Sequence, residues 1–267
     1  MTLMPEFRPT PLRMSFLAEL TLSAAILRKA AVALIGLVLL VGLTALVFGI
    51  RLDFSPTLGR AFAVVAVGVP FALWRNEALF GRRAFFDRPV SKPVLIATRG
   101  AAGLVWVMGG ALVLTTACLL LASITGGRFD PPQAPFGIQR ALTAVAEPRP
   151  WAFLPLLSAA VIAYVAGTAL AVGVRFPLRW TLAVLAAICA VWLIAAEMGT
   201  AERVTSILTG PFGLDAALTG GWRRTLDAGP DAAMTPGSFV TWAGAVGVWL
   251  GLALGLLALA ALRHRDP

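Results

Sequence analysis

Residues 75–97 read RNEALFGRRAFFDRPVSKPVLIA, a long charged stretch between two apolar runs of the chain. Five arginine and lysine side chains, against two acidic ones, give residues 75–93 a net positive charge, and we call these residues the basic segment. If the segment is helical, Arg82 and Phe86 share one face, because residues four apart lie on the same side of a helix. The pattern is typical of a docking surface for a soluble partner. The alternative is a solvated loop whose arginines only set the membrane topology.

The composition excludes a soluble domain. The chain has 267 residues, of which 59% are hydrophobic and 13% charged, whereas about a quarter of an ordinary soluble domain is charged. The apolar residues fall in long blocks, which indicates an integral membrane protein. The net charge of +9 does not indicate nucleic acid, because no soluble domain carries a basic and aromatic patch. A single histidine and the absence of ligand spacings predict no metal site.

The apolar blocks predict an all-α bundle of six spans, each long enough for a hydrocarbon core of ~30 Å. We place the spans at about residues 31–50, 57–74, 100–124, 151–174, 180–196 and 239–262. Residues 1–30 precede them, and residues 199–237 form a loop with short helices between the last two spans. Most of the 22 lysines and arginines fall on one side if the N-terminus is cytoplasmic. The positive-inside rule therefore predicts both termini and the basic segment in the cytoplasm.

Residues 11–29 predict an amphipathic helix before the first span. Phe16, Leu20 and Leu27 recur at helical spacing on its apolar stripe. We expect this helix to lie in the headgroup plane. The alternative is a simple helical extension of the first span.

Small residues at helical spacing mark two spans as packing helices. Gly247, Gly251 and Gly255 follow one another at four-residue spacing in the sixth span, and Ala163 and Gly167 do so in the fourth. Such stripes let helix backbones approach closely. We predict packing within the chain, with a dimer seam as the alternative.

Residues that could carry chemistry inside the membrane are few. Arg60, Arg99 and Glu197 lie near span ends and are interpreted as interfacial anchors, and Tyr164 is interpreted as a hydrogen-bonded packing residue. A secondary transporter usually needs ionisable groups at the midplane, so this class is disfavoured. The chain has no G-x-x-x-x-G-K-[ST] loop and is not expected to hydrolyse ATP by itself.

Residues 85–99, FFDRPVSKPVLIATR, resemble the L-P-V-S-R-x-x-L-x-x-K stretch of ABC-2 type transporter permeases. The specific match covers about residues 76–103, and the layout of an amphipathic helix and six spans is similar over the whole length. The chain departs from the family pattern at Arg88-Pro89, where the family has Leu-Pro. This departure leaves open the register in which the basic segment matches the end of the family's coupling helix, the helix that docks on the ATPase.

The resemblance implies the membrane subunit of an exporter in the bacterial cytoplasmic membrane, paired with a second permease subunit, identical or related. Each subunit would dock on a separate cytoplasmic ATPase that binds ATP and Mg²⁺, with no cofactor in this chain. Residues 11–29 would be the connecting helix, and the basic segment would be the coupling helix. Its contact residues would be Glu77, Arg82, Arg83, Phe86 and Asp87.

A second class of function is a membrane anchor or assembly factor that transports nothing and recruits a soluble protein through the basic segment. Both hypotheses place the protein in contact with membrane lipid, and neither involves nucleic acid. The substrate of an exporter could be a drug, a peptide, a lipid or a glycan.

Overall fold

Six long apolar helices dominate the structure, a computed structural model that describes residues 11–75, 92–129, 149–200, 210, 212–224 and 234–263. The long helices are α1 (Pro11–Phe48), α2 (Gly59–Trp74), α3 (Lys92–Thr125), α4 (Leu154–Gly173), α5 (Pro177–Glu197) and α7 (Phe239–Leu262). A short helix, α6 (Leu214–Thr219), precedes an antiparallel pair of strands, β1 (Trp222–Arg224) and β2 (Met234–Pro236). All six long helices are long and apolar enough to cross a membrane. The chain is therefore a multi-pass membrane protein.

The two ends of the bundle are distinguished by the helix termini that meet there. At the distal end, the Leu52 amide after α1 donates to the Thr125 hydroxyl of α3 at 3.1 Å. The Trp151 ring before α4 stacks there on Trp242 of α7. The proximal end holds the start of α1 and α3 and the end of α2, α4 and α7. The basic segment joins α2 to α3 at this proximal end.

Helix α4 occupies the centre of the bundle, with 67% of its membrane-spanning window buried, against 6% for α5. It packs against α2, α3, α6 and α7. Its small residues permit this: Ala163 is buried, and a Cβ added at Gly167 would lie 2.8 Å from the Val67 carbonyl oxygen of α2. The backbones of α2 and α4 therefore touch.

The glycine stripe of α7 lies on a different face from the face of α7 that packs against the bundle. Ala245 and Ala253 of α7 are buried against the bundle, whereas a Cβ added at Gly247, Gly251 or Gly255 would meet nothing within 4 Å. These glycines therefore make no close helix contact among the described residues. The predicted packing of this stripe within the chain does not occur there.

Helix α1 is one continuous helix of 38 residues, about 57 Å long. Residues 11–29, predicted as an amphipathic helix, form its first half and are continuous with the first span, and the place of this half in the headgroup plane stays a prediction. The physical reason is that residues 12–35 contain no proline or glycine to interrupt the helix. Phe16, Leu20 and Leu27 are half-buried, and Leu27 packs against the main core.

The remaining predicted boundaries differ in two places. Helix α3 begins at Lys92, earlier than the predicted residue 100, because Pro93 falls in its first turn, where proline is tolerated. The loop at residues 199–237 contains one described helix and the β1–β2 pair rather than helices alone. Residues 201–209, 211 and 225–233 of that loop lie outside the described part.

The α2–α4 contact predicts opposite effects of one substitution at two glycines. Gly167→Ala should lower the free energy of unfolding by about 1–3 kcal/mol, because the new methyl group meets the α2 backbone. Gly68→Ala, the matched control on the open face of α2, should be neutral or stabilising by up to about 1 kcal/mol, since it adds helix propensity in open space. Denaturant titration in detergent micelles measures both. Equal effects would contradict the packing described here.

Candidate functional site

A buried ion pair joins α1 to α3 in the proximal half of the bundle. The Arg99 Nε lies 2.9 Å from Glu19 Oε2, and their side chains are only 3% and 11% exposed. Arg99 also lies over the indole ring of Trp74, with its Cζ 5.3 Å from the ring centroid. Trp74 is the last residue of α2. One guanidinium therefore contacts side chains from two other helices, and we call Glu19, Trp74 and Arg99 the proximal cluster.

The proximal cluster lies toward the proximal end of the bundle. Arg99 stands 26 residues before Thr125, the distal end of α3, which is about 39 Å along the helix. Glu19 stands 29 residues before Phe48, the distal end of α1, which is about 44 Å. Both distances exceed a hydrocarbon core of ~30 Å. Arg99 is buried and paired rather than snorkelling, and its interpretation as an interfacial anchor stays a prediction.

The face of α1 that meets the bundle carries polar side chains. Glu19 and Ser23 are buried, and the Ser23 hydroxyl donates to the Glu19 carbonyl at 2.7 Å. Leu22 and Ile26 are exposed. The buried side of this half of α1 therefore includes polar groups, and its exposed side carries the charged Arg28 and Lys29 besides apolar residues.

Helix α3 packs closely against α4 on the distal side of the ion pair. The Tyr164 hydroxyl donates to the Gly100 carbonyl at 2.9 Å, and the Tyr164 side chain is buried. Any Cβ at Gly103 would collide with that hydroxyl and with Leu73. The interpretation of Tyr164 as a hydrogen-bonded packing residue is confirmed. The seam fixes the position of α3, and with it the backbone at Arg99.

Energetics explain why this pair needs both partners. A lone charged residue at the centre of a membrane helix costs about 2.5–3.5 kcal/mol on insertion scales. Removing one partner of a buried pair costs about 3–5 kcal/mol, whereas replacing both by apolar residues is often neutral or stabilising. The Glu19–Arg99 pair is thus a weak source of stability and a strong constraint on geometry.

The other two predicted anchors lie at the distal end and are exposed. The Arg60 Nη2 lies 2.6 Å from Asp215 Oδ1 of α6, and the Arg60 side chain is 60% exposed. Glu197 ends α5 on the surface. Both positions agree with interfacial anchors.

The distal end of the bundle is covered by α6. Arg149 Nη1 donates to the Gly220 carbonyl at 3.0 Å, and the Ser158 hydroxyl donates to the Ala217 carbonyl at 3.2 Å. Position 220 requires glycine, because the residue that ends α6 has a φ of +80°, a left-handed conformation that other residues rarely adopt. These bonds hold α6 to the start of α4.

The predicted docking residues are not among those that the structure describes. Glu77, Arg82, Arg83, Phe86 and Asp87 all lie within residues 76–91, outside the described part of the chain. Their assignment to a coupling helix stays a prediction. The structure does describe residues on either side of the basic segment: Trp74 lies immediately before it, and Arg99 lies after it on α3.

Sequence reasoning missed Glu19 as a site residue because residues 11–29 were assigned to the headgroup plane. A usable signal was present in the sequence. Glu19 and Ser23 stand four residues apart, on the same side of a helix as Phe16 and Leu27. That face is therefore mixed rather than purely apolar.

No family model, no curated protein and no solved structure matches this chain. The class that the fold defines is a multi-pass helical membrane protein with a buried ion pair.

The ion pair predicts a non-additive pair of substitutions. Glu19→Met should lower the free energy of unfolding by about 3–5 kcal/mol, because it leaves the Arg99 charge buried without its carboxylate. Glu19→Met/Arg99→Met should cost about 1 kcal/mol or less, since no charge is then left buried at the proximal cluster. Unfolding in mixed micelles, followed by tryptophan fluorescence, measures both.

The matched control for this cycle is Arg60→Met, which breaks an exposed ion pair. It should cost less than about 1 kcal/mol. A double variant at least as unstable as Glu19→Met would contradict the account of the buried pair.

Proposed function

We propose that this chain is the permease subunit of an ATP-driven exporter of the ABC-2 type, in the bacterial cytoplasmic membrane. It would move its substrate with ATP hydrolysed on a separate cytoplasmic subunit, and it would work beside a second permease subunit. Both termini and the basic segment would face the cytoplasm, as the distribution of basic residues indicates.

One observation of the structure supports this proposal: residues on either side of the basic segment contact each other and form what we call its base. Trp74, immediately before the segment, and Arg99 on α3 after it lie against each other, and Arg99 is ion-paired with α1. A displacement of the segment would therefore reach α1, α2 and α3 together. A docking helix that transmits force needs such a base, whereas a loop that only sets topology does not.

The chemistry of the segment suits a carboxylate-rich partner. Arg82 and Arg83 would offer charge-assisted, bidentate hydrogen bonds to aspartate or glutamate side chains of the ATPase. Phe86 would add apolar contact area beside them. When two ATPase subunits close on ATP, the docked segments would move as levers and switch the bundle between inward and outward openings.

A second permease subunit has exposed surfaces available to it. Helix α5 is the least buried of the six spans, and the α7 glycine stripe faces away from the described bundle. The dimer seam, the alternative interpretation of that stripe, is thus the one we keep. Stripes of this kind support close helix association in lipid.

An ion-coupled transporter is a further candidate. Glu19 and Arg99 form a buried ion pair, toward the proximal end of the bundle rather than at its middle. Such groups often mark ion or proton pathways. The indole N–H of Trp74 is also buried and has no hydrogen-bond acceptor within the described ranges. Uptake or efflux that follows a proton or sodium gradient, without ATP, would favour this candidate.

The proposal predicts that the basic segment captures an ATPase. Wild type purified from its host in mild detergent should carry a bound ATPase with vanadate-sensitive hydrolysis. Arg82→Glu/Arg83→Glu should reduce the captured ATPase by about tenfold or more, because like charges then face the partner's carboxylates. Quantitative mass spectrometry and phosphate release measure the two properties.

Arg175→Glu/Arg179→Glu is the matched control, because it makes the same charge change at two exposed arginines at the proximal end, Arg175 between α4 and α5 and Arg179 in the first turn of α5. It should leave capture unchanged. Capture that survives Arg82→Glu/Arg83→Glu would contradict the docking site. A wild type that carries a soluble protein but no ATPase would favour the membrane anchor instead.

A further inference from the structure

Exposed basic residues on three parts of the chain stand at one level of the bundle. Arg28 lies 20 residues before Phe48, the distal end of α1, which is about 30 Å along the helix. Arg179 lies 18 residues before Glu197, the distal end of α5, which is about 27 Å. Arg175 follows α4, whose 20 residues span about 30 Å. All three therefore stand near the proximal edge of a hydrocarbon core of ~30 Å.

One aromatic ring holds two of these charges. The Arg175 Cζ lies 5.4 Å from the centroid of the Phe176 ring, and the Arg179 Cζ lies 4.9 Å from it. We call Arg175 and Arg179 the arginine pair. Phe176 is itself 49% exposed, so the three side chains form one outward surface. Contact with a ring face orients a guanidinium and leaves its N–H groups free to donate.

The arginine pair has no counter-charge in the part of the chain that the structure describes. Neither guanidinium is ion-paired within the described ranges. Of the carboxylates in those ranges, Glu19 is buried against Arg99, and the others stand at the distal end. Arg179 also lies in the first turn of α5, which contains no acidic residue, although the positive end of a helix dipole favours anions there. An anion at this point would offset charge that is otherwise uncompensated.

The surroundings of the arginine pair favour a lipid as the source of that anion. Leu178, Trp180 and Leu182 of α5 are 61%, 57% and 58% exposed, and α5 is the least buried of the six spans. Its apolar surface is thus open to acyl chains, and tryptophan is typical of the boundary between acyl chains and headgroups. A phospholipid would bring its phosphate to the guanidinium groups and its chains to the side of α5.

We propose that the arginine pair binds the phosphate of an anionic phospholipid, with Phe176 positioning both guanidinium groups. Arginine donates paired N–H···O hydrogen bonds to phosphate oxygens. An anionic headgroup keeps its net negative charge, whereas a zwitterionic headgroup also carries a cation that the pair repels. The proposal does not rest on the proposed function, because it involves neither the basic segment nor an ATPase.

Fluorescence quenching by brominated lipid tests the site on the full chain. A fluorophore is attached at Leu182→Cys, one turn along α5 from Arg179, after Cys118→Ala and Cys189→Ala remove both native cysteines. The protein is reconstituted in phosphatidylcholine vesicles that contain a small fraction of brominated phosphatidylglycerol. Quenching should report an enrichment of about fivefold or more over the bulk, since each basic residue near an anionic surface strengthens the attraction by about fivefold. Brominated phosphatidylcholine should show no enrichment.

Two double variants separate a site from a diffuse surface charge. Arg175→Gln/Arg179→Gln should bring the enrichment down to less than about twofold. Lys29→Gln/Arg263→Gln removes the same charge from exposed residues elsewhere at the proximal end and should leave the enrichment unchanged. If the first variant fails to insert, Arg179→Gln replaces it, with a loss of about fivefold expected. Enrichment that survives loss of the pair, or an equal loss in both double variants, overturns the proposal.

A soluble anion is the other source of phosphate, and competition distinguishes the two. Inorganic phosphate in excess should leave the quenching by brominated phosphatidylglycerol unchanged, because a lipid held in the bilayer is also anchored by its acyl chains. The control is the same concentration of a salt that matches the ionic strength, since salt alone screens exposed charges. Loss of the enrichment with phosphate but not with the matched salt would assign the arginine pair to a soluble anion and overturn the lipid site.

Discussion

The proximal architecture depends on one guanidinium in a setting that penalises charge. Arg99 is buried, and a carboxylate and an aromatic face are among the groups that offset its desolvation. Glu19 comes from α1 and Trp74 from the end of α2. To satisfy this one side chain, the chain must bring three helices to one point. The rest of the proximal half is arranged around that requirement.

Packing of small residues around α4 makes this arrangement possible. Gly167 lets α2 approach α4, and Gly103 leaves room for the Tyr164 hydroxyl between α3 and α4. With α2 and α3 both held against α4, Trp74 and Arg99 have fixed backbones from which to meet. The ion pair then adds α1 to the set. Close packing thus supplies the scaffold, and electrostatics fix the position of the outer helix.

The number and approximate position of the spans could be predicted from the sequence, because a long apolar block in lipid forms a helix that satisfies its own backbone hydrogen bonds. The sixth span matches α7 at both ends. Periodicity could not show which face of a helix meets protein, since apolar residues suit both lipid and the interior. That ambiguity explains why the Gly247–Gly255 stripe was assigned to packing within the chain, and why Glu19 was passed over. Partners of Arg82 and Arg83 belong to another molecule, which no pattern within this chain defines.

The central claim is that α1 continues as one helix from the first span through Ile26, Leu22 and Glu19. Nitroxide labels at Leu22 and Ile26, both exposed on α1, test it through collisions with oxygen and with a water-soluble nickel chelate. Oxygen concentrates in lipid, and Ile26 would lie about 6 Å deeper than Leu22 along the helix, so the account predicts a higher oxygen-to-nickel collision ratio at Ile26. Equal ratios at both positions would place them at one depth, as in a helix in the headgroup plane, and contradict the account.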